Sequence, residues 1–258
     1  MGQVDCVFLD VGNVILSDDP SVAFYYSELS EFICERVDPS FTYQRFLQER
    51  EALVRSGSTT PGADIARRHL SDDQWRLFQK QHQANLAPRY DALTPELPGI
   101  RDAIARLDGR VKLGLIANQP VQCVASLKRR GLWNAFSVHA ISDVLGISKP
   151  DSALFRWACE QAGVPPERCL MVGDRLDNDV LPAQSLGMAT VWLHWRSPYD
   201  KGVPPREEYE QLYLDSLERV SPANIAVAAG SVPSGHVVHS IQELGALLSR
   251  LVNPEERR

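Results

Sequence analysis

Four polar residues in this sequence fall where apolar runs end, and their types could together do group-transfer chemistry. Asp10 closes the run Val4–Leu9, Asn118 follows Val111–Ala117, Lys149 comes shortly after Ser137–Ile141, and Asp174 lies just beyond Cys169–Val172. Singly, each has an ordinary reading. Asp10 could be a turn or helix-capping aspartate, Asp174 in GDRLDND a cap between strand and helix, and Lys149 beside Pro150 a solvated loop lysine. Jointly they point elsewhere, because ligands of an open parallel sheet collect outside the carboxyl ends of its strands. Asp10 and Asp174, brought together there, repel unless a cation lies between them. Mg²⁺, a hard ion that takes oxygen ligands and retains waters, suits that pair. Lys149 would neutralise an anionic substrate and the attacking group. Asp10 is then a carboxylate nucleophile able to form a covalent intermediate. Phosphoryl transfer fits the set, since it depends mainly on positioning and charge neutralisation.

The elements that must position these residues are legible in outline. Val4–Leu9 reads as a buried strand delivering Asp10 to its tip, with Val11, Gly12 and Asn13 as the turn. From about 20 to 86 the long amphipathic stretches Ser21–Val37, Phe41–Ser56 and Ser71–Leu86 make a helical block with no strand in it. Ala87–Pro98 reads as a return linker. Strands and helices then alternate. The strands are Val111–Ala117, Ser137–Ile141, Cys169–Val172 and Ala189–Leu193. The helices are Ile100–Leu107, Val121–Arg129, Ala153–Ala162 and Val180–Leu186. That alternation means a parallel sheet with right-handed crossovers. Prolines interrupt 196–235 around one helical stretch, Glu207–Arg219, which reads as a surface insertion. His236–His239 and Ile241–Leu251 resume as strand and helix. The expected architecture is α/β, a Rossmann-like doubly wound parallel sheet core over 1–19 and 96–258, with an all-helical cap inserted at 20–95.

Composition narrows the class. The 258 residues are 44% hydrophobic and 23% charged, typical of a globular chain and unlike a disordered or fibrous one. Lys plus Arg number 27 against 33 Asp plus Glu, a net charge of −6, so no nucleic-acid partner is expected. No run nears the roughly 18 apolar residues of a membrane span, and none is expected. Five widely spaced cysteines without a C-x-x-C pair fit reduced thiols and a cytoplasmic location. His236 and His239 would face opposite sides of a strand, which disfavours a metal pair. Trp192 and Trp195, with Tyr199, read as core packing or a lid, and Arg67-Arg68-His69 as a solvated basic face.

Motif by motif, the chain resembles the haloacid dehalogenase superfamily. The residues that carry the resemblance are VFLDVGNVI around Asp10, LIAN at Ala117-Asn118, SKP at Lys149 and MVGDRLDND with Asp174 and Asp179. The resemblance implies Asp10 as nucleophile and Lys149 as charge neutraliser. It also implies Mg²⁺ held by Asp10, the Gly12 carbonyl and Asp174, with Asp179 supporting that site. Asn118 would contribute to binding a small, anionic phosphorylated substrate, and the helical insertion would close over the site and set substrate choice.

Two positions depart from the family pattern. Gly12 stands where most phosphatases of the family carry a second aspartate as general acid, and Ala117 where Ser or Thr usually meets the phosphoryl group. Losing a general acid costs about 10²–10⁴ in rate, and losing one preorganised donor costs about 10²–10³. Such a site favours leaving groups that need no proton, such as acyl or aryl phosphates, or takes its acid from elsewhere. Two other readings stay open: a fold-sharing protein that binds with little or no catalysis, and 2-haloacid dehalogenation, in which Asp10 attacks carbon and no metal is needed.

Overall fold

The computed structural model describes residues 3–223 and 235–252. Its sheet comprises β1 (Cys6–Leu9), β2 (Lys112–Ala117), β3 (Val138–Ile141), β4 (Cys169–Gly173), β5 (Ala189–Leu193) and β6 (His236–Val238). The strands are parallel and lie in the order β3-β2-β1-β4-β5-β6, the doubly wound Rossmann-like arrangement. The order reverses at β1, which pairs with β2 on one side and β4 on the other. Leu9 is level with Leu115 and with Val172, so Asp10 emerges beside the final residues of both neighbours.

Alternation along β1 divides the core between the two faces. Val7 and Leu9 pack with Ile100 of α5 (Ile100–Ala105), Leu127 of α6 (Gln122–Arg129) and Leu244 of a later helix, Ile241–Val252. Cys6 and Phe8 point the other way, onto Leu154, Phe155 and Ala158 of α7 (Ser152–Ala162) and Ala183 of α8 (Leu181–Ser185). Local chemistry sets several helix starts. Asp151 accepts a hydrogen bond from the Ala153 N–H, and Ser71 and Gln74 form a reciprocal capping box.

Between β1 and β2 the chain makes α1 (Asp19–Arg36), α2 (Tyr43–Arg55), α3 (Pro61–His69) and α4 (Asp72–Leu86). The helix α3 is not among the amphipathic stretches evident in the sequence, and the expected linker 87–98 carries short helical turns over Ala87–Leu93. α3 starts on Pro61 and the turn at Ala87–Arg89 carries Pro88 as its second residue; a proline reads as a breaker but occupies the first helical turn without loss, since no intrahelical partner awaits its N–H there. These helices share an aromatic-rich core of their own, built on Tyr26, Leu29, Phe32, Phe41, Phe46 and Phe78.

The stretch 196–235 differs from the expected surface insertion. Its helix α9 (Glu208–Arg219) buries Tyr213 and Leu214 in that same aromatic core, packed on α1 and α2. Amphipathicity alone does not say which element covers an apolar face, and here the cover is the helical block. Residues 224–234 of that stretch lie outside the described residues. The helix Ile241–Val252 is α10. Among the described residues no helix is long and apolar enough to cross a membrane.

Leu214 anchors this join without lining the cavity described below. Leu214→Ala should lower the unfolding free energy by about 2–5 kcal/mol. Equilibrium denaturation measures it, and a change within about 0.5 kcal/mol would mean that α9 is peripheral.

Candidate active site

Lys149 is the centre of the site. Only 4% exposed, its ammonium lies 2.9 Å from Asp10 Oδ1 and 2.6 Å from Asp179 Oδ1, and it donates to the Ile116 carbonyl at 3.1 Å. Burial opposes the charge, but the two carboxylates outweigh it and hold Lys149 above the ordinary lysine range. The loop that carries it is tied to the end of β2. Asn118 Nδ2 donates to the Lys149 carbonyl at 2.9 Å, and the Lys149 N–H donates to Asn118 Oδ1 at 2.8 Å. Both ends of the Asn118 amide, expected to meet substrate, thus bond the lysine's backbone.

Asp10 is held by its neighbours on one side. Its N–H donates to the Val172 carbonyl at 2.9 Å, and its Oδ1 accepts from the Val11 N–H at 2.7 Å as well as from Lys149. Oδ2 makes no hydrogen bond among the described residues. Burial pushes the Asp10 carboxyl well up, with Lys149 opposing and Asp179 and Asp174 adding to the rise.

Asp179 reaches the lysine because β4 ends in glycine. After Asp174 the chain forms a π-helical turn, Leu176–Val180, that folds Asp179 back against Gly173. A Cβ on Gly173 would lie 2.3 Å from both Cβ and Cγ of Asp179. The Asp179 side chain is saturated: Oδ1 takes Lys149 and Oδ2 takes the Arg175 N–H at 2.9 Å. Asp174 is the opposite case. Its backbone carbonyl accepts from Trp192 Nε1, yet its carboxylate has neither hydrogen bond nor ion pair among the described residues. Burial and then Asp179 push Asp174 up to about 7.

Asp10, Asp174 and Asp179 each offer a carboxylate oxygen, all within 4.8 Å of one another. One ammonium among three carboxylates leaves negative charge in surplus. The unbonded Oδ2 of Asp10 and the unbonded carboxylate of Asp174 are donors of the kind a hard divalent cation takes, so the residues present fit Mg²⁺. Asp179, with both oxygens engaged, fits an orienting role beneath them.

The turn after Asp10 explains the glycine at 12. A Cβ there would lie 2.1 Å from Asp18 Oδ2, so the Asp18 carboxylate already fills the side-chain space of residue 12. Gln119 Nε2 donates to that oxygen at 2.9 Å, and Tyr90 donates to Gln119 Oε1 at 2.8 Å. Burial pushes Asp18 up to about 6, with the Gln119 bond opposing. Ala117 is fully buried and supplies no polar side chain. Asn13, in the left-handed region at φ 53°, accepts from the Asp18 N–H and, at 2.9 Å, from the buried Lys201 Nζ, which also pairs with Asp19 at 2.7 Å. The two tryptophans hold backbone around the site, Trp192 at Asp174 and Trp195 at the Asn13 carbonyl. Asp18, Gln119 and Lys201 were invisible to motif reading. Each acts through a partner distant in sequence, and only Asn13 lies in a recognisable segment.

Other groups fall away from chemistry. His239 Nδ1 meets the His194 carbonyl, Arg67 pairs with Asp64 at the surface, and the five cysteines are free thiols.

Residues 4–187 match the haloacid dehalogenase-like hydrolase family. The pyrimidine 5'-nucleotidase YjjG of Escherichia coli is 37% identical over 118 residues, 45% of this chain and 52% of its own length. A glyceraldehyde 3-phosphate phosphatase of Pyrococcus furiosus is 32% identical over 147 residues, 56% and 59% of the two chains. The chain thus spans about half the length of the curated relatives it matches. A solved HAD phosphatase from Thermococcus onnurineus superposes with a TM-score of 0.60 at 21% identity, covering 95% of this chain and 98% of that one, which speaks for the fold alone. The segment matched to the family runs from the first strand past the acidic turn and takes in Asp10, Lys149 and Asp174 alike, so this chain belongs to the haloacid dehalogenase-like hydrolases.

Proposed function

We propose that the protein is a cytoplasmic, Mg²⁺-dependent phosphatase that acts on a small anionic phosphate ester through an aspartyl-phosphate at Asp10. The observation that carries this reading is the state of the Asp10 carboxylate. One oxygen is fixed by Lys149 and a backbone N–H, while among the described residues Oδ2 is left without a bond beside the unpaired Asp174. The small phosphate esters in the names of the sequence relatives support the substrate class. Five free thiols fit a reducing compartment.

Asp10, the Gly12 carbonyl and Asp174 would hold the cation, which when bound supplies charge neutralisation at the phosphoryl oxygens. The remaining work falls to the protein. Asp10 Oδ2 forms a bond to phosphorus as the ester oxygen–phosphorus bond breaks, and the electron pair leaves with the alcohol oxygen. Water then attacks phosphorus, the Asp10 Oδ2–phosphorus bond breaks with its electron pair returning to the carboxylate, and the proton that water gives up to solvent balances the one the departed alkoxide takes from it, so alcohol and inorganic phosphate leave. Lys149 stays charged throughout and offsets the negative charge that gathers on Asp10 and the phosphoryl group. Asn118 keeps the lysine loop against β2. With no side chain at 12 and none that is polar at 117, esters whose leaving group departs without a proton are the better substrates.

Phosphate release from acetyl phosphate and from an aryl phosphate should require Mg²⁺, stop on chelation, and fall on the order of 10⁴ or more in Asp10→Asn. Chloride release from 2-chloropropionate without metal would replace this reading with dehalogenation. An Mg²⁺-dependent rise in melting temperature with no turnover of any of the three would replace it with a binding protein. Gly173→Ala tests the seat of Asp179. The displaced carboxylate should release Lys149 and lower kcat on the order of 10², and wild-type kinetics in that variant would remove Asp179 from the scheme.

A further inference from the structure

A cavity of about 450 Å³ adjoins the site, with Asp174 in its wall. It lies between the sheet tips and the helical block, which contributes Tyr26, Arg50 and Val54, while α9 contributes Tyr213 and the turn after β4 contributes Leu176. That volume suits a small organic molecule rather than a lone phosphate. The lining is mainly apolar, and Tyr26 and Tyr213 meet edge to face at 5.5 Å between ring centres.

One wall residue is out of place in such a lining. Arg50 is 2% exposed, and its Nη1 donates only to neutral acceptors, the Ser216 carbonyl and hydroxyl and the Val220 carbonyl at 3.0–3.3 Å. Nε has no hydrogen-bond partner, and no carboxylate lies within ion-pairing distance of the guanidinium among the described residues. The other buried cation of the wall, Lys201, is paired with Asp19, and Arg175 is paired with Asp177. The segment 224–234, which continues from the wall residues Ser221–Ala223, contains no acidic residue. A buried charge without a counter-ion is costly, so a position of this kind is built for an anion that arrives from outside. A guanidinium matches the planar pair of oxygens of a carboxylate.

We infer that the cavity receives the non-transferred part of a phosphate ester with a largely apolar body and a carboxylate at its far end, and that Arg50 binds that carboxylate. The phosphate end rests on the phosphatase reading. The Arg50 end does not, and the two are separated by measuring binding and turnover independently.

Calorimetry with Mg²⁺ present compares benzylphosphonate with 4-carboxybenzylphosphonate, neither of which can be hydrolysed. The carboxylated compound should bind wild-type protein about 10- to 100-fold more tightly, the range of a charge-assisted bond. In Arg50→Gln the two Kd values should fall within about twofold of each other. Equal affinities in wild-type protein, or no binding of either compound, would overturn the inference without any variant. So would a preference that survives in Arg50→Gln. Because Arg50 also ties α9 to α2, Arg50→Lys provides a second variant. It keeps the charge but not the planar fork, and should keep part of the preference. If the carboxylate preference holds while neither phenyl phosphate nor 4-carboxyphenyl phosphate, whose phenolates leave without a proton, releases phosphate, the phosphatase reading fails and the role of Arg50 stands.

Discussion

The buried Lys149 ammonium between Asp10 and Asp179 is the interaction on which the rest of the site depends. A lysine enclosed this fully survives as a cation only because two carboxylates sit within 3 Å. Each carboxylate in turn needs its own support. Asp179 requires the missing Cβ of Gly173 and the π-helical turn that bends it back, and Asp10 requires the register that places the tip of β1 between β2 and β4. Asn118 closes the arrangement by holding the lysine's backbone in both directions. The site is therefore one electrostatic unit spread over four segments. Its surplus negative charge is a structural consequence of three carboxylates around one ammonium, and it is what gives the cluster its fit to a divalent cation.

The turn after Asp10 shows how a departure from the family pattern is built in. Gly12 is more than a lost side chain, because the Asp18 carboxylate stands in its place and is anchored through Gln119 to Tyr90. A larger residue at 12 would have to push Asp18 off Gln119. The same region draws in Lys201 from beyond β5 and the indole of Trp195, so residues nearly 190 positions apart are packed around one loop. The helical block and α9 likewise form one apolar core, and this is why Arg50 of α2 meets Ser216 and Val220 beside the cavity.

Much of the fold was legible because local signals and burial agree. The runs ending at Asp10, Ala117 and Gly173 are strands in the structure, and helices lie between them as the alternation required. The residues missed were those whose local signal contradicts their role. Pro61 and Pro88, residues that break a helix interior, lie in first helical turns. Residues 196–235 are proline-rich, yet they carry a helix that buries Tyr213 and Leu214.

By itself the sequence determined which chemistry was available: a carboxylate, an amide, a lysine and an acidic turn at successive strand ends, a set whose types and order carry the information. Their mutual distances were left to the tertiary structure, because a sequence pattern specifies faces and periods and not which side chain ends within bonding reach of another. Only the folded chain could decide that Asp179 carries Lys149 while Asp174 stays open, that Asn118 serves the lysine loop, that Asp18 occupies the space of residue 12, and that a buried arginine lines the cavity without a counter-ion among the described residues. Each of these is a contact across long sequence separation, set by packing and charge.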